Sequence, residues 1–167
     1  MTKTMVDADV ASQVRGALRG NGQFVDTTRL LDALPWRLAG ERPGGAEHSV
    51  LRLVRHLNYW QDIYLERLAG ADRPSPPHDA EGWPGEQAPA SEQEWLDAAA
   101  HFRDGLARAE AAAGDGALGD TLPLWSGRSR LEALIGLALH NAYHAGQIVQ
   151  LRRMLDSWPP PGGGDSW

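Results

Sequence analysis

His140 and His144 stand four residues apart in the run His140-Asn141-Ala142-Tyr143-His144-Ala145-Gly146-Gln147, inside a long helical pattern. That spacing puts two imidazoles on one helix face, about one turn apart. Two imidazoles so placed can converge on one ion, and imidazole suits zinc, copper, iron and nickel. At about 100° per residue, Ala133, Leu137, His140, His144, Ile148, Leu151 and Leu155 form a single stripe. The stripe should face a core, where an unpaired polar group is costly. His56 is the best third ligand. It sits in the helical run 49–68, at the edge of a stripe formed by Val50, Leu53, Leu57, Trp60, Tyr64 and Leu68. Three nitrogen ligands would leave an open position for water or substrate, as catalytic metal sites do. The plainer alternative is a set of core histidines satisfied by hydrogen bonds.

The remaining histidines are weaker candidates. His48 lies about two turns before His56, at the start of that helix. His101 falls mid-helix between Ala100 and Phe102, and His78 falls in a polar linker. Trp60, Trp36, Trp125 and Tyr143 could line a pocket, with Trp60 the first choice because it is one turn from His56; core packing is the alternative for each. Asn141, Gln147 and Asp62 could orient ligand imidazoles, or bond between helices. Arg152 and Arg153 suit the C-terminal end of a helix dipole, and Arg152 could meet a substrate carboxylate.

Four main helices are expected to position these residues. The first spans about 6–19, with Val6, Val10, Val14, Ala17 and Leu18 on one face, and stops at Gly20-Asn21-Gly22. A shorter helical piece spans about 27–34, and Pro35 could open another turn as a first helical residue. The second main helix runs from about Glu47 to Ala69. A linker rich in Pro, Gly and Asp follows over 70–90, long enough to be functional or disordered. Ser91 and Glu94 read as a capping box opening the third helix, which ends near Gly114. The fourth runs from about Ser129 to Ser157, before Pro159-Pro160-Pro161. No strand pattern is convincing. Long connectors between helices suggest a bundle with crossovers.

Composition narrows the chemistry. The 167 residues include no cysteine, which removes disulfides, thiolate ligands and a cysteine nucleophile. Any thiol chemistry must use a thiol from the substrate. The net charge of −6 comes without a basic run, so nucleic acid is not an expected partner. No stretch of about 18 apolar residues suggests a membrane span. The opening residues lack an apolar signal core, and a cytoplasmic location is expected. No GxSxG elbow, P-loop or GxGxxG is present. Gly162-Gly163-Gly164 precedes no helix and reads as a flexible tail rather than a phosphate cradle.

Arg55-His56-Leu57, then Gly82-Trp83-Pro84, then the 140–147 run, then the tail Trp158–Trp167, in this order, resemble the DinB-like (YfiT-like) metal-dependent proteins. The resemblance covers most of the chain. It implies an all-α, four-helix bundle with long crossover connections over residues 1–157 and a Pro/Gly-rich tail over 158–167. It also implies a homodimer and a three-histidine site on His56, His140 and His144, holding one divalent metal ion per chain. Zinc or nickel is expected; three imidazoles do not choose between them. The tail residues Asp165, Ser166 and Trp167 would dock on the body or on a second subunit. Some relatives transfer low-molecular-weight thiols such as bacillithiol, or are mycothiol-dependent isomerases. The expected function is a metal-dependent transferase of thiol S-transferase type, or a hydrolase, acting on small molecules. A non-catalytic metal or small-ligand binding protein is the alternative. No catalytic residue beyond the metal ligands is identified.

Overall fold

A computed structural model describes residues 3–20, 23–114 and 117–163, with side chains from residue 8 onward. The Val6 side chain, Asn21, Gly22, Gly164 and the expected docking residues Asp165, Ser166 and Trp167 lie outside this description. The described chain is mostly helical. Four long helices, α1 (Lys3–Arg19), α3 (Val50–Leu68), α4 (Glu92–Ala112) and α5 (Arg130–Met154), are joined by connectors that hold a one-turn helix, α2 (Trp36–Ala39), and a short antiparallel pair, β1 (Thr121–Leu122) with β2 (Arg128–Ser129). Thr121 pairs with Ser129 and Leu122 with Arg128. No described helix is long and apolar enough to cross a membrane.

Serines start three of the long helices by accepting orphan backbone N–H groups. Ser49 takes Arg52 N–H, Ser91 takes Glu94 N–H and Ser129 takes Glu132 N–H. Ser129 and Glu132 complete a capping box. Ser91 and Glu94 form only half of one, which corrects the expectation. Glu94 accepts from the Ala90 N–H and pairs with Arg55 on α3, so a tertiary ion pair has displaced the local return bond.

The segment 27–34 also differs from expectation: it is a series of turns, not a helix. Asp26 accepts both the N–H and the hydroxyl of Thr28, and the Thr27 hydroxyl donates to Leu18 O. Such side-chain bonds compete with the helical ladder, and Ala33 stands in the left-handed region. Pro35 is the residue before α2 rather than its first turn. The helix α5 stops at Met154, three residues early. Asp156 is left-handed (φ 52°) and Ser157 N–H returns to Arg152 O, a Schellman-type ending that caps the last carbonyls.

Two apolar clusters fill the interior. One joins Leu30, Leu31 and Leu34 to Leu53, Leu57, Phe102 and Ile148. The other joins Val14 and Leu18 to Leu65, Leu68, Leu134 and Leu137. Ala17, expected on the inner face of α1, is exposed. Along α3 and α5 the clusters are separated by a polar layer: Asn58 and Gln61 on α3, and His140, Asn141 and His144 on α5. Asn58, Gln61, Asn141 and His144 are buried. α3 packs on both α4 and α5, so this layer brings side chains of α3 and α5 together. Gly105 of α4 gives it room, since a Cβ there would fall 1.8 Å from Gln61 Nε2.

Candidate metal centre

His56 on α3 and His140 and His144 on α5 meet in the polar layer. One ligand nitrogen from each lies within 4.8 Å of the other two. His56 Nε2 and His140 Nε2 are 3.1 Å apart, and the ring centroids are 5.0, 4.6 and 4.6 Å apart. Around a tetrahedral ion with nitrogen bonds of about 2.0–2.1 Å, neighbouring nitrogens stand about 3.3 Å apart. The His56–His140 spacing is close to that edge, and the other pairs lie within 4.8 Å.

Hydrogen bonds to the outer nitrogens set the tautomers. His56 Nδ1–H donates to Gly82 O at 2.5 Å, and His144 Nδ1–H donates to Gln147 Oε1 at 2.7 Å. Both acceptors are oxygens, so each Nδ1 holds the proton and each Nε2 offers a lone pair. His140 Nδ1 is buried without a hydrogen-bond partner, as are both polar atoms of the Asn141 amide beside it. Burial pushes His56 down to about 4, with a smaller contribution from His144. Burial, then His144 and His56, push His140 down to about 3, and burial lowers His144 as well. Neutral imidazoles with converging lone pairs are the form that binds a cation.

These shifts predict the acid behaviour of metal-free protein. The unfolded histidines titrate near the ordinary value of about 6.5. Below that pH the unfolded chain takes up protons that folded His56 and His140 refuse, so stability present above about 6.5 is lost as pH falls towards 4. In chelator, the denaturation midpoint of wild type should drop between pH 7.5 and pH 5. The drop should be smaller in His140→Leu; equal drops would contradict the cause given.

The polypeptide around His56 comes from the linker. Its 3₁₀ turn Asp79–Gly82 delivers the Gly82 carbonyl and then Trp83. The Trp83 indole stacks on His56 (3.7 Å, 12°), and its other face stacks on His48 (3.9 Å, 15°). Arg52 donates to Gly85 O and Trp83 O, and Arg55 donates to Glu86 O, so two α3 arginines fasten this strap. Gly82 eases the approach, because a Cβ there would come within 3.0 Å of Trp60 Nε1.

The other candidates fall as follows. Trp60 stands edge-on to His56 and His140, with centroids 6.4 and 6.3 Å away. Tyr143 is edge-on to His144 at 5.0 Å but 67% exposed. Gln147 touches His144, as described. Asn141 is adjacent to His140 and acts weakly to raise its pKa, but its amide makes no well-formed hydrogen bond. Asp62 does not reach the site: it pairs with His101 on α4 at 2.9 Å, so the α3–α4 contact takes both. His48 precedes α3 and stacks on Trp83 instead of joining the ligand set. His78 is exposed. Trp36 packs against the first cluster, while Trp125 lies against Tyr64 with Arg67 and Arg128 over its ring. Arg152 is fully buried and donates to backbone carbonyls of Leu30, Asp32 and Ser157, so no substrate carboxylate reaches it.

Trp83 is the site residue that helical spacing does not find. The available signal was a tryptophan in a Pro/Gly-rich linker, where a large apolar ring needs a surface to cover.

The three-histidine group could hold a metal ion. The profile of the DinB superfamily matches residues 23–148. No curated protein and no solved structure matches the chain. With most of its length, all three histidines and the strap inside that match, the chain belongs to the DinB superfamily.

Proposed function

We propose that His56, His140 and His144 hold one divalent ion, zinc or nickel, and that the protein is a metal-dependent enzyme acting on small molecules. A transferase of thiol S-transferase type is the first reading and a hydrolase the second. The observation that carries it is the convergence of one nitrogen from each of three imidazoles, two of the rings being fixed by Nδ1–H bonds to Gly82 O and Gln147 Oε1. An ion held there would supply Lewis acidity, lowering the pKa of a water or thiol at its free position. The chain's own residues hold the three imidazoles neutral and orient those of His56 and His144, while Trp83 and Trp60 keep bulk water from His56. With no cysteine in the sequence, the thiol must arrive with the substrate.

The supporting frame is read as the family's four-helix bundle with crossovers, α1, α3, α4 and α5 being its members. A homodimer is part of the proposal: Ile135, Leu139 and Tyr143 line up four residues apart on the outer face of α5, and all three are exposed. One observation favours a non-catalytic binding protein instead. The carboxylates nearest in sequence to His56 on α3 are engaged elsewhere, Asp62 by His101 and Glu66 by Arg73, and supply no proton-transfer group to the three histidines.

The two readings separate in one assay. Metal-loaded protein is offered a panel of low-molecular-weight thiols with a neutral electrophile, and a panel of esters and amides. Turnover that disappears on chelation and returns with the ion supports the enzyme. No turnover with any member, while the ion stays bound, supports the binding protein.

A further inference from the structure

A cavity of about 610 Å³ lies between α5 and the segment before α3, within the size range of small-molecule sites of about 300–1,000 Å³. None of the three histidines lines it. It meets them through residues that touch them. Gln147 holds His144 Nδ1–H, the Tyr143 ring stands on the edge of His144, and His48 backs the Trp83 indole that covers His56.

The cavity's chemistry is selective. Leu53, Leu151, Met154 and Tyr143 give it walls more apolar than polar. No lysine or arginine lines it, and its one ionised residue is an acid, Glu47. A ligand carboxylate, phosphate or sulfate would find no cation to pair with there, and the 90% exposed Glu47 side chain at the rim adds only a solvent-screened repulsion. Gln147 provides the complementary group. Its Oε1 is committed to His144, and its Nε2 makes no hydrogen bond among the described residues, so it can donate to a ligand carbonyl. The space is also unobstructed. A Cβ at Gly45 or at Gly146 would meet nothing within 4 Å.

We propose that this cavity holds the body of the substrate: a neutral, mainly apolar molecule with a carbonyl or similar acceptor at Gln147, rather than a phosphorylated or carboxylate-bearing one. The proposal rests on the metal-enzyme reading for the substrate's reactive end, but the cavity's selectivity stands on its own residues.

The test uses the full chain, first metal-free and then loaded with zinc, and two probes of similar length, N-hexylacetamide and heptanoate. Binding is followed by amide chemical-shift titration. In metal-free protein, N-hexylacetamide should bind saturably and shift the Gly146 and Gln147 resonances, and heptanoate, which finds no cation in the lining, should bind measurably more weakly. Lengthening the amide's tail should tighten binding by up to about fourfold per buried methylene. Gly146→Trp fills the cavity from a helical position with open space, so it should remove amide binding while leaving helix content and metal stoichiometry unchanged. Gly146→Ala is the control and should retain binding. Heptanoate binding as tightly as the amide, or an amide affinity unchanged in Gly146→Trp, would overturn the proposal. If zinc fails to bind while the amide still binds as described, the metal reading falls and the cavity assignment stands. If zinc binds at one per chain and the amide does not bind, the reverse holds.

Discussion

Replacing His140 with alanine should strip the protein of its metal. Wild type should carry close to one divalent ion per chain, because three imidazoles and an open position make a single site. His140 contributes one of three nitrogens, and its Nε2 stands 3.1 Å from His56 Nε2. Losing a group that merely orients a ligand costs about 10–100-fold in metal affinity. Losing a ligand itself should cost more than about 100-fold, beyond that range. His144→Ala should do the same. Gln147→Ala, which frees His144 Nδ1–H without removing a ligand, should fall within the smaller range. The fold should survive all three, since the apolar clusters above and below the polar layer do not include these residues. Elemental analysis after dialysis gives the stoichiometry, a competition titration with a chelator gives the affinity, and circular dichroism checks the helices. Full occupancy in both His140→Ala and His144→Ala would mean that the ligands have been misassigned.

The parts of this site that could be read in the sequence are those governed by helix geometry. His140 and His144 share a face because four residues make about one turn, and no tertiary information is needed for that. The stripe around them is buried or half-buried along its length, from Ala133 to Leu155. Ser91 and Ser129 mark helix starts for an equally local reason, whereas α3 starts at Val50 after the Ser49 cap rather than at about Glu47 as expected. What could not be read depends on where a loop travels. The Gly82 carbonyl reaches His56 across 26 residues of sequence, and nothing in the linker's composition says which side of α3 it crosses. Pro and Gly announce that 70–90 is not a helix. They do not say that Arg52 and Arg55 fasten it over the histidines. Asp62 failed as a supporting residue for a similar reason. Its position about one and two-thirds turns after His56 says little about whether α4 or α5 lies opposite, and His101 of α4 takes it. The 27–34 segment misled in the other direction. Its apolar spacing is helical, but Asp26 and Thr27 give the backbone side-chain partners that a helix would deny it.

Arg152 shows how far a residue's role can depart from its apparent chemistry, and it yields the largest expected loss of stability. Its side chain is fully buried. Burial lowers its pKa to about 10, so it is still charged at neutral pH. Its nearest hydrogen-bonding partners are all backbone carbonyls: Leu30 O at 2.7 Å, Asp32 O at 2.8 Å and Ser157 O at 2.7 Å, with Trp158 packed against the guanidinium at 5.1 Å. A fork of N–H donors is the one side chain that can serve three carbonyls diverging in this way. It thereby ties the irregular 27–34 segment and the end of α5 to each other, which explains why a non-helical stretch can sit against the first cluster. Arg152→Met keeps an apolar stem of similar reach but leaves these carbonyls without their donor. A buried acceptor left unpaired costs about 1–3 kcal/mol, and relaxation will recover part of the sum, so a loss of about 3 kcal/mol is expected. Arg152→Lys keeps the charge but cannot fan out to all three, and should lose about half as much. Both should retain one metal ion per chain, because the histidines lie one helical stretch away in a separately held layer. Denaturant midpoints measured with and without chelator test both statements. A change below about 0.5 kcal/mol in Arg152→Met, the size of an ordinary surface substitution, would show that the carbonyls find other partners and that the 27–34 segment is held by its apolar contacts alone.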